Sequence, residues 1–294
     1  MIVYGTRIRS DINFPLDIPD DQITRPEITL ERNPPEMLTS SITCGFPLYQ
    51  THGRKVYLYS DRVFDKISKT QPWCYEVKDV LRFYWFSGES TIYCQFDDKG
   101  DSRLLSFWFI HLLLPLYFTL EKRFDFFHAG AVKTEDKNIL FLAPTMGGKS
   151  TMTDYFINQG HILIADDKVA TFSEKDSFMA MASHPYHRPY RKFEELGFRV
   201  QHFENLCEPI HALYYLEKGP ASSKPCINEV NGVDKFKTIL PNYLHMLPFR
   251  MAHRLHYLSK VLHSIKMFRV QVPWEIKQLG SVHDSICEHC RVLL

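Results

Sequence analysis

Asn138-Ile-Leu-Phe-Leu-Ala-Pro-Thr-Met-Gly-Gly-Lys-Ser-Thr151 decides the fold. Its first part, NILFLA, is an unbroken apolar run, the pattern of a strand buried on both faces. From Ala143 to Ser150 it fits the Walker A spacing, with alanine in place of the first glycine. Small residues are needed there because successive backbone N–H groups must wrap closely around phosphate oxygens. Gly147 and Gly148 supply that freedom, Lys149 suits the β- and γ-phosphates, and the Ser150 hydroxyl suits Mg²⁺. Thr145, Met146, Gly147, Gly148, Lys149, Ser150 and Thr151 are therefore the expected nucleotide-binding residues. A helix over about 149–159 is expected to follow, adding its N-terminal partial charge, with Gly160 placed to end it.

Downstream, His161-Ile-Leu-Ile-Ala165 reads as another buried strand running into Asp166-Asp167. In open α/β sheets the carboxyl ends of strands face the ligand crevice. Paired acids there can hold Mg²⁺ and accept the proton of an attacking hydroxyl. Upstream, His128–Val132 reads as a short strand that begins at His128. This order of elements predicts an α/β unit.

Residues 1 to about 100 read as mainly β. Val3–Ile8 and Lys55–Ser60 alternate, and Phe83–Phe86 and Ser90–Phe96 form an expected hairpin around Ser87-Gly88-Glu89. A long helix at about 102–123 closes this region, so the expected division is 1–123, mainly β and ending in a helix, and 124–294, the P-loop domain. Within that helix, Leu104–Leu120 is 17 residues and mostly apolar, but it contains His111 and Pro115. It is short for a membrane span, and a buried core helix kinked or broken at the proline is expected. Further on, Tyr186–Gly197 reads as a basic stretch before a short helix, Gly219–Asp234 as an exposed excursion, Asn242–Ser264 as helical, Met267–Val272 as a strand and Trp274–Cys290 as a helix.

Composition narrows the partners. Lys plus Arg number 35 against 34 Asp plus Glu, which argues against a broadly basic nucleic-acid surface. Seven irregularly spaced cysteines read as reduced thiols, and the N-terminal stretch has no secretory apolar region, so a cytoplasmic protein is expected. Arg188, Arg191 and Lys192 could neutralise phosphate or grip an acidic peptide end, as could Arg250, which with Arg254 would share a helical face. His283, Cys287 and Cys290 form an H-x₃-C-x₂-C pattern on one face of the last helix. Zinc would need a further ligand, such as His289 or a distant residue, and with no second ligand pair buried free thiols are expected.

His128-Ala-Gly-Ala-Val, ILFLAPTMGGKST and GHILIADD together resemble the catalytic domain of HPr kinase/phosphorylase, a P-loop group with a fold akin to phosphoenolpyruvate carboxykinase. His128 lies 21 residues before Lys149 and Asp166 lies 17 after it, over a stretch of about 45 residues. The resemblance implies Asp166 as general base, Asp167 as a metal holder, His128 beside the transferred phosphate, ATP or another triphosphate with Mg²⁺, and a homo-oligomer, since HPr kinases form hexamers. Met146 stands where that family usually has glycine, its later acidic glycine-rich signature is missing, and the first ~120 residues do not resemble its N-terminal domain, a length that suits a modest domain of its own. Tyr4-Gly-Thr-Arg-Ile-Arg-Ser-Asp-Ile and His184-Pro-Tyr-His-Arg-Pro-Tyr-Arg-Lys-Phe-Glu-Glu-Leu-Gly197 look like the stand-alone lasso peptide kinases, which phosphorylate the C-terminal serine of a precursor peptide. The expected activity is thus an ATP-dependent serine kinase on a peptide or protein. A non-catalytic nucleotide sensor and a small-molecule kinase of the same fold are the alternatives.

Overall fold

The computed structural model describes residues 1–62, 70–135, 137–189 and 193–293. The chain divides into two compact units: Met1–Arg123 with Arg191–Leu196, and Phe124–Tyr190 with Gly197–Leu294. Together they make a mixed α/β protein with several sheets.

The first unit is built on eight strands: β1 (Ile2–Val3), β2 (Thr6–Ser10), β3 (Glu27–Arg32), β4 (Cys44–Thr51), β5 (Arg54–Ser60), β6 (Pro72–Val77), β7 (Leu81–Phe86) and β8 (Thr91–Phe96), with a short helix α1 (Glu36–Ser40). Their order is β1-β2-β3-β8-β7-β6-β5-β4. Val3–Ile8 is not one strand: Tyr4 and Gly5 both take positive φ, folding it into the β1–β2 hairpin. The β7–β8 hairpin turns at Gly88, in the left-handed region.

Ser102–Leu120 is long and apolar enough to cross a membrane, and 94 % of its most apolar window is buried inside the fold. Asp101 caps it by accepting the Leu104 N–H at 2.7 Å. It runs as α2 (Ser102–Phe107), a π-helical turn (Trp108–Leu113) and α3 (Leu114–Leu120). The helical run continues past Pro115, so the break foreseen as one alternative does not occur. Proline has no N–H and crowds the carbonyl four residues back; the widened turn absorbs this, with the Leu114 N–H reaching Phe109 O.

The second unit holds β9 (Asp125–Phe127), β10 (Gly130–Thr134), β11 (Lys137–Leu142), α4 (Lys149–Asn158), β12 (Ile162–Ala165), β13 (Val169–Glu174), β14 (Ser177–Met181), β15 (Tyr186–His187), β16 (Phe198–Arg199), β17 (Cys207–Pro209), β18 (Ala212–Gly219), β19 (Cys226–Glu229), α5 (Gly232–Ile239), α6 (Met251–Ser264), β20 (Lys266–Pro273) and α7 (Leu279–Arg291). The main sheet runs β12-β10-β11-β18-β20-β19, with β11, β18 and β20 parallel. A second, antiparallel sheet runs β17-β14-β13-β9.

The apolar run of β11 is explained by period-two alternation. Ile139, Phe141 and Ala143 join a core with Met152 and Phe156 of α4 and Val282 and Ile286 of α7. Leu140 and Leu142 face the opposite core, with Phe178, Tyr257 and Leu258.

Several expectations are corrected. His128 does not begin a strand; it lies between β9 and β10, which belong to different sheets, so the chain must change sheet there. Tyr186–Gly197 leads to no α-helix among its described residues; β15 pairs with β16 instead. Gly219–Asp234 is mostly exposed, as expected, but it also supplies an outer strand, β19, and the start of α5. In 242–264 the α-helix begins only at Met251, because Pro248 opens a 3₁₀ turn (Pro248–Arg250). The last helix begins at Leu279 after a short 3₁₀ turn (Ile276–Gln278).

A candidate phosphoryl-transfer site

The P-loop spans the end of β11 and the start of α4. Gly148 caps the helix at φ 87°, where a side chain is strained. At Gly147 a Cβ would stand 2.8 Å from both Ala143 Cβ and Pro144 O, so only glycine fits. Met146 also takes positive φ and is 88 % exposed, which shows how a non-glycine residue is tolerated: its side chain leaves the loop altogether. Thr145 and Thr151 are exposed and Ser150 is half-buried. Lys149 is buried and folds back to donate to Ala143 O at 2.9 Å.

Sheet register sets the distance to the acids. Ala131 of β10 pairs with Leu140 on one side and Ala165 on the other. β11 and β12 therefore run parallel with one strand between them, two strand spacings or about 10 Å apart. The P-loop and Asp166-Asp167 follow their C-terminal ends, and His128, two residues before Gly130, comes to the same end of the sheet.

Asp166 is buried; its Oδ2 accepts the Arg188 main-chain N–H at 2.9 Å. The fully buried His187 lies with Nδ1 2.9 Å from the same oxygen and Nε2 3.4 Å from Asp154 Oδ1 on α4. These are ion-pairing distances, although neither ring nitrogen is aligned as a hydrogen bond. Asp167 takes φ 67°, which ends β12 and turns its side chain onto a different course from that of Asp166. His128 Nδ1 stands 3.0 Å from Asp167 Oδ1 and 3.1 Å from Asp167 O. Both neighbours are acceptors, so Nδ1 carries the proton.

Cations gather around this pair. Arg188 is buried, not on a solvated face, with Nη2 3.9 Å from Asp167 Oδ2. Lys168 is buried, and desolvation lowers its pKa, with Asp167 opposing the shift. Burial likewise pushes His184 down to about 4 and His245 well below the usual histidine value, the latter helped by nearby Lys168 and Arg250. Residues 242–244 add onto β9: the His128 N–H donates to Asn242 O at 2.7 Å and the Leu244 N–H to Phe126 O at 2.8 Å. Arg250 follows in the same segment and acts on His245. Arg250 is only 6 % exposed, yet neither Nη1 nor Nη2 has a hydrogen-bond partner among the described residues. It precedes α6 rather than sharing a helical face with Arg254. Arg191, the other arginine singled out in the sequence, and Lys192 lie outside the described residues.

Sequence reading missed His187, Lys168, His184 and His245. It also missed an apolar pocket of about 280 Å³ beside the P-loop, lined by Gly147, Gly148, Met152, Val272, Trp274 and Ile276. Lys218 Nζ lies 5.0 Å from the Trp274 ring centre.

Ser150 and Asp167, at the same end of the sheet, offer the oxygen donors that a hard divalent cation takes. No known protein-family profile matches the chain, and no curated protein matches it in sequence. Among solved structures it is similar to the HPr(Ser) kinase/phosphatase from Coxiella burnetii, at 13 % identity and a TM-score of 0.33, over 56 % of this chain and 94 % of that one.

Proposed function

We propose that this protein is an ATP-dependent kinase of the HPr kinase and phosphoenolpyruvate carboxykinase type, acting on a serine hydroxyl of a peptide or protein. The observation that carries the reading is that one compact unit holds a glycine-cradled P-loop, a buried carboxylate at the same end of the sheet, and a buried arginine whose Nη atoms have no hydrogen-bond partner among the described residues. The P-loop N–H groups and Lys149 grip the triphosphate. Lys149 leaves Ala143 O to do so. The base of ATP, or of another triphosphate, occupies the apolar pocket against Trp274.

Ser150 and Asp167 would hold Mg²⁺, which would supply charge neutralisation on the phosphates. Both described contacts to Asp166 fall on Oδ2, leaving Oδ1 to take the proton of the acceptor hydroxyl. The acceptor oxygen bonds to the γ-phosphorus, the bond to the β-γ bridging oxygen breaks, and ADP leaves with that electron pair. His187 positions Asp166 from behind. His128, Arg188 and Arg250 face the charge on the transferred group.

The acceptor we favour is the C-terminal serine of a lasso peptide precursor. Three buried cations, Lys168, Arg188 and Arg250, suit an acceptor that brings a terminal carboxylate beside its hydroxyl. The test is incubation with ATP, Mg²⁺ and a panel of peptides with serine either C-terminal or internal, read by intact mass. One phosphate on the C-terminal serine alone supports the reading. Phosphate on internal serines equally well removes the terminal-carboxylate argument, and no transfer to any acceptor by an ATP-binding protein favours a sensor.

A further inference from the structure

The last helix carries a cluster that phosphoryl transfer does not use. His283 and Cys287 lie one turn apart on α7, and His161, just before β12, meets them. His161 Nε2 is 3.0 Å from His283 Nε2, and Cys287 Sγ is 3.5 Å from His283 Nε2 and 3.9 Å from His161 Nε2. Tetrahedral zinc with Zn–N of about 2.0–2.1 Å and Zn–S of about 2.3 Å sets nitrogen pairs about 3.3 Å apart and nitrogen–sulfur pairs about 3.6 Å apart. The three observed separations lie within about 0.3 Å of the edge lengths of such a tetrahedron.

We propose that His161, His283 and Cys287 form a zinc site that ties the P-loop helix to the C-terminal helix. The ring of His283 packs on Phe156 and Tyr155 of α4, at centroid distances of 4.7 and 5.6 Å, so a metal here fixes α4 against α7. Asp284 lies beside the cluster as an orienting carboxylate: its Oδ1 is 2.9 Å from His283 Nδ1. That contact keeps the proton on Nδ1 and leaves Nε2 as the lone-pair donor. His161 is held toward its neutral form, by burial first and by His283 second. A cavity of about 170 Å³, lined by His161 and Cys287 with Glu135, Lys137 and Arg291, adjoins the trio and has room for a fourth ligand such as water.

The pattern foreseen in the sequence is thereby re-sorted. His161 is the ligand that sequence spacing could not supply. Cys290 is buried beside the Tyr214 hydroxyl, 3.3 Å away, and His289 Nδ1 is 2.7 Å from that same hydroxyl. Neither belongs to the trio. Burial raises the Cys287 thiol to about 11, so zinc must displace its proton and affinity rises with pH.

The test is metal content of the full chain, purified with zinc and then desalted, together with titration by Co²⁺. About one zinc per chain is expected, with a cobalt spectrum showing tetrahedral bands and thiolate charge transfer. C287A and H161A should each hold less than about a tenth of that zinc, while C290A retains it. Absorbance of the cobalt form of the unmutated chain reads the same ligands without depending on how the variants fold. Folded protein that holds no zinc and gives no thiolate–cobalt band overturns the proposal. So does C290A losing metal as completely as C287A.

Discussion

Asp166 is held at one oxygen by the Arg188 main chain and His187, which fixes its orientation; in the proposed reaction it is the base. Asp166→Asn keeps the shape and removes the basicity. Its kcat is expected to fall by about 10²–10⁴ while ATP affinity stays within a few-fold, measured by turnover beside calorimetric binding. Arg250 tests the opposite balance. A buried guanidinium with two partnerless nitrogens weakens the fold unless an anion meets it. Arg250→Met is expected to raise unfolding free energy by about 1–3 kcal/mol in phosphate-free buffer, yet to lower kcat by about 10²–10³. Denaturant midpoints with and without phosphate read the first effect, since phosphate should stabilise the native chain more than the variant. Gly147 is simpler: a methyl there meets Ala143 and Pro144 O, so Gly147→Ala should abolish ATP binding as seen by calorimetry.

At the scale of elements, legibility followed locality. The strand, loop and helix from Lys137 to Asn158 are contiguous, and their signals of apolar run, glycine pair and lysine sit side by side in sequence. Asp166 and Asp167 were legible for the same reason, since they follow a four-residue apolar strand. What escaped the sequence comes from remote segments. The segment that leads to Arg250 is brought beside His128 because 242–244 adds to β9, and no local pattern around 250 announces that pairing. His187 looked like one member of a basic stretch until β15 paired with β16 and sank it against Asp166. The apolar pocket beside the P-loop is likewise assembled from the P-loop, β18, β20 and the turn after it. Trp274→Ala is expected to weaken nucleotide binding about tenfold with kcat little changed, since a lost ring contact is worth about 1–3 kcal/mol per base; a loss of kcat alone would point to another place for the base.

For the whole molecule, the chain is less linear than a single boundary after residue 123 expresses, because Arg191–Leu196 clusters with the first unit. There Glu194 accepts from Trp108 Nε1 at 2.8 Å and pairs with Arg54 at 3.2 Å. Global stability should depend on pH through His184, which is buried, and His245, which is partly so. His184 is lowered from 6.5 to about 4, and His245 shifts the same way. The unfolded chain then binds more protons between these values, so stability is full above about pH 6.5 and is lost as pH falls toward 4. For His184 the loss is at most about 3 kcal/mol. Urea midpoints from pH 4.5 to 7 should rise with pH, and less steeply in His184→Asn.

The most direct test of the proposed chemistry pairs the native protein with Asp166→Asn, each given ATP, Mg²⁺ and a peptide ending in serine. Intact mass and fragmentation locate any added phosphate. The expected result is one phosphate on the terminal serine with the native protein and at least about a hundredfold less with the variant at equal ATP occupancy. Equal phosphorylation by both proteins would contradict Asp166 as the base and, with it, the mechanism proposed for this site.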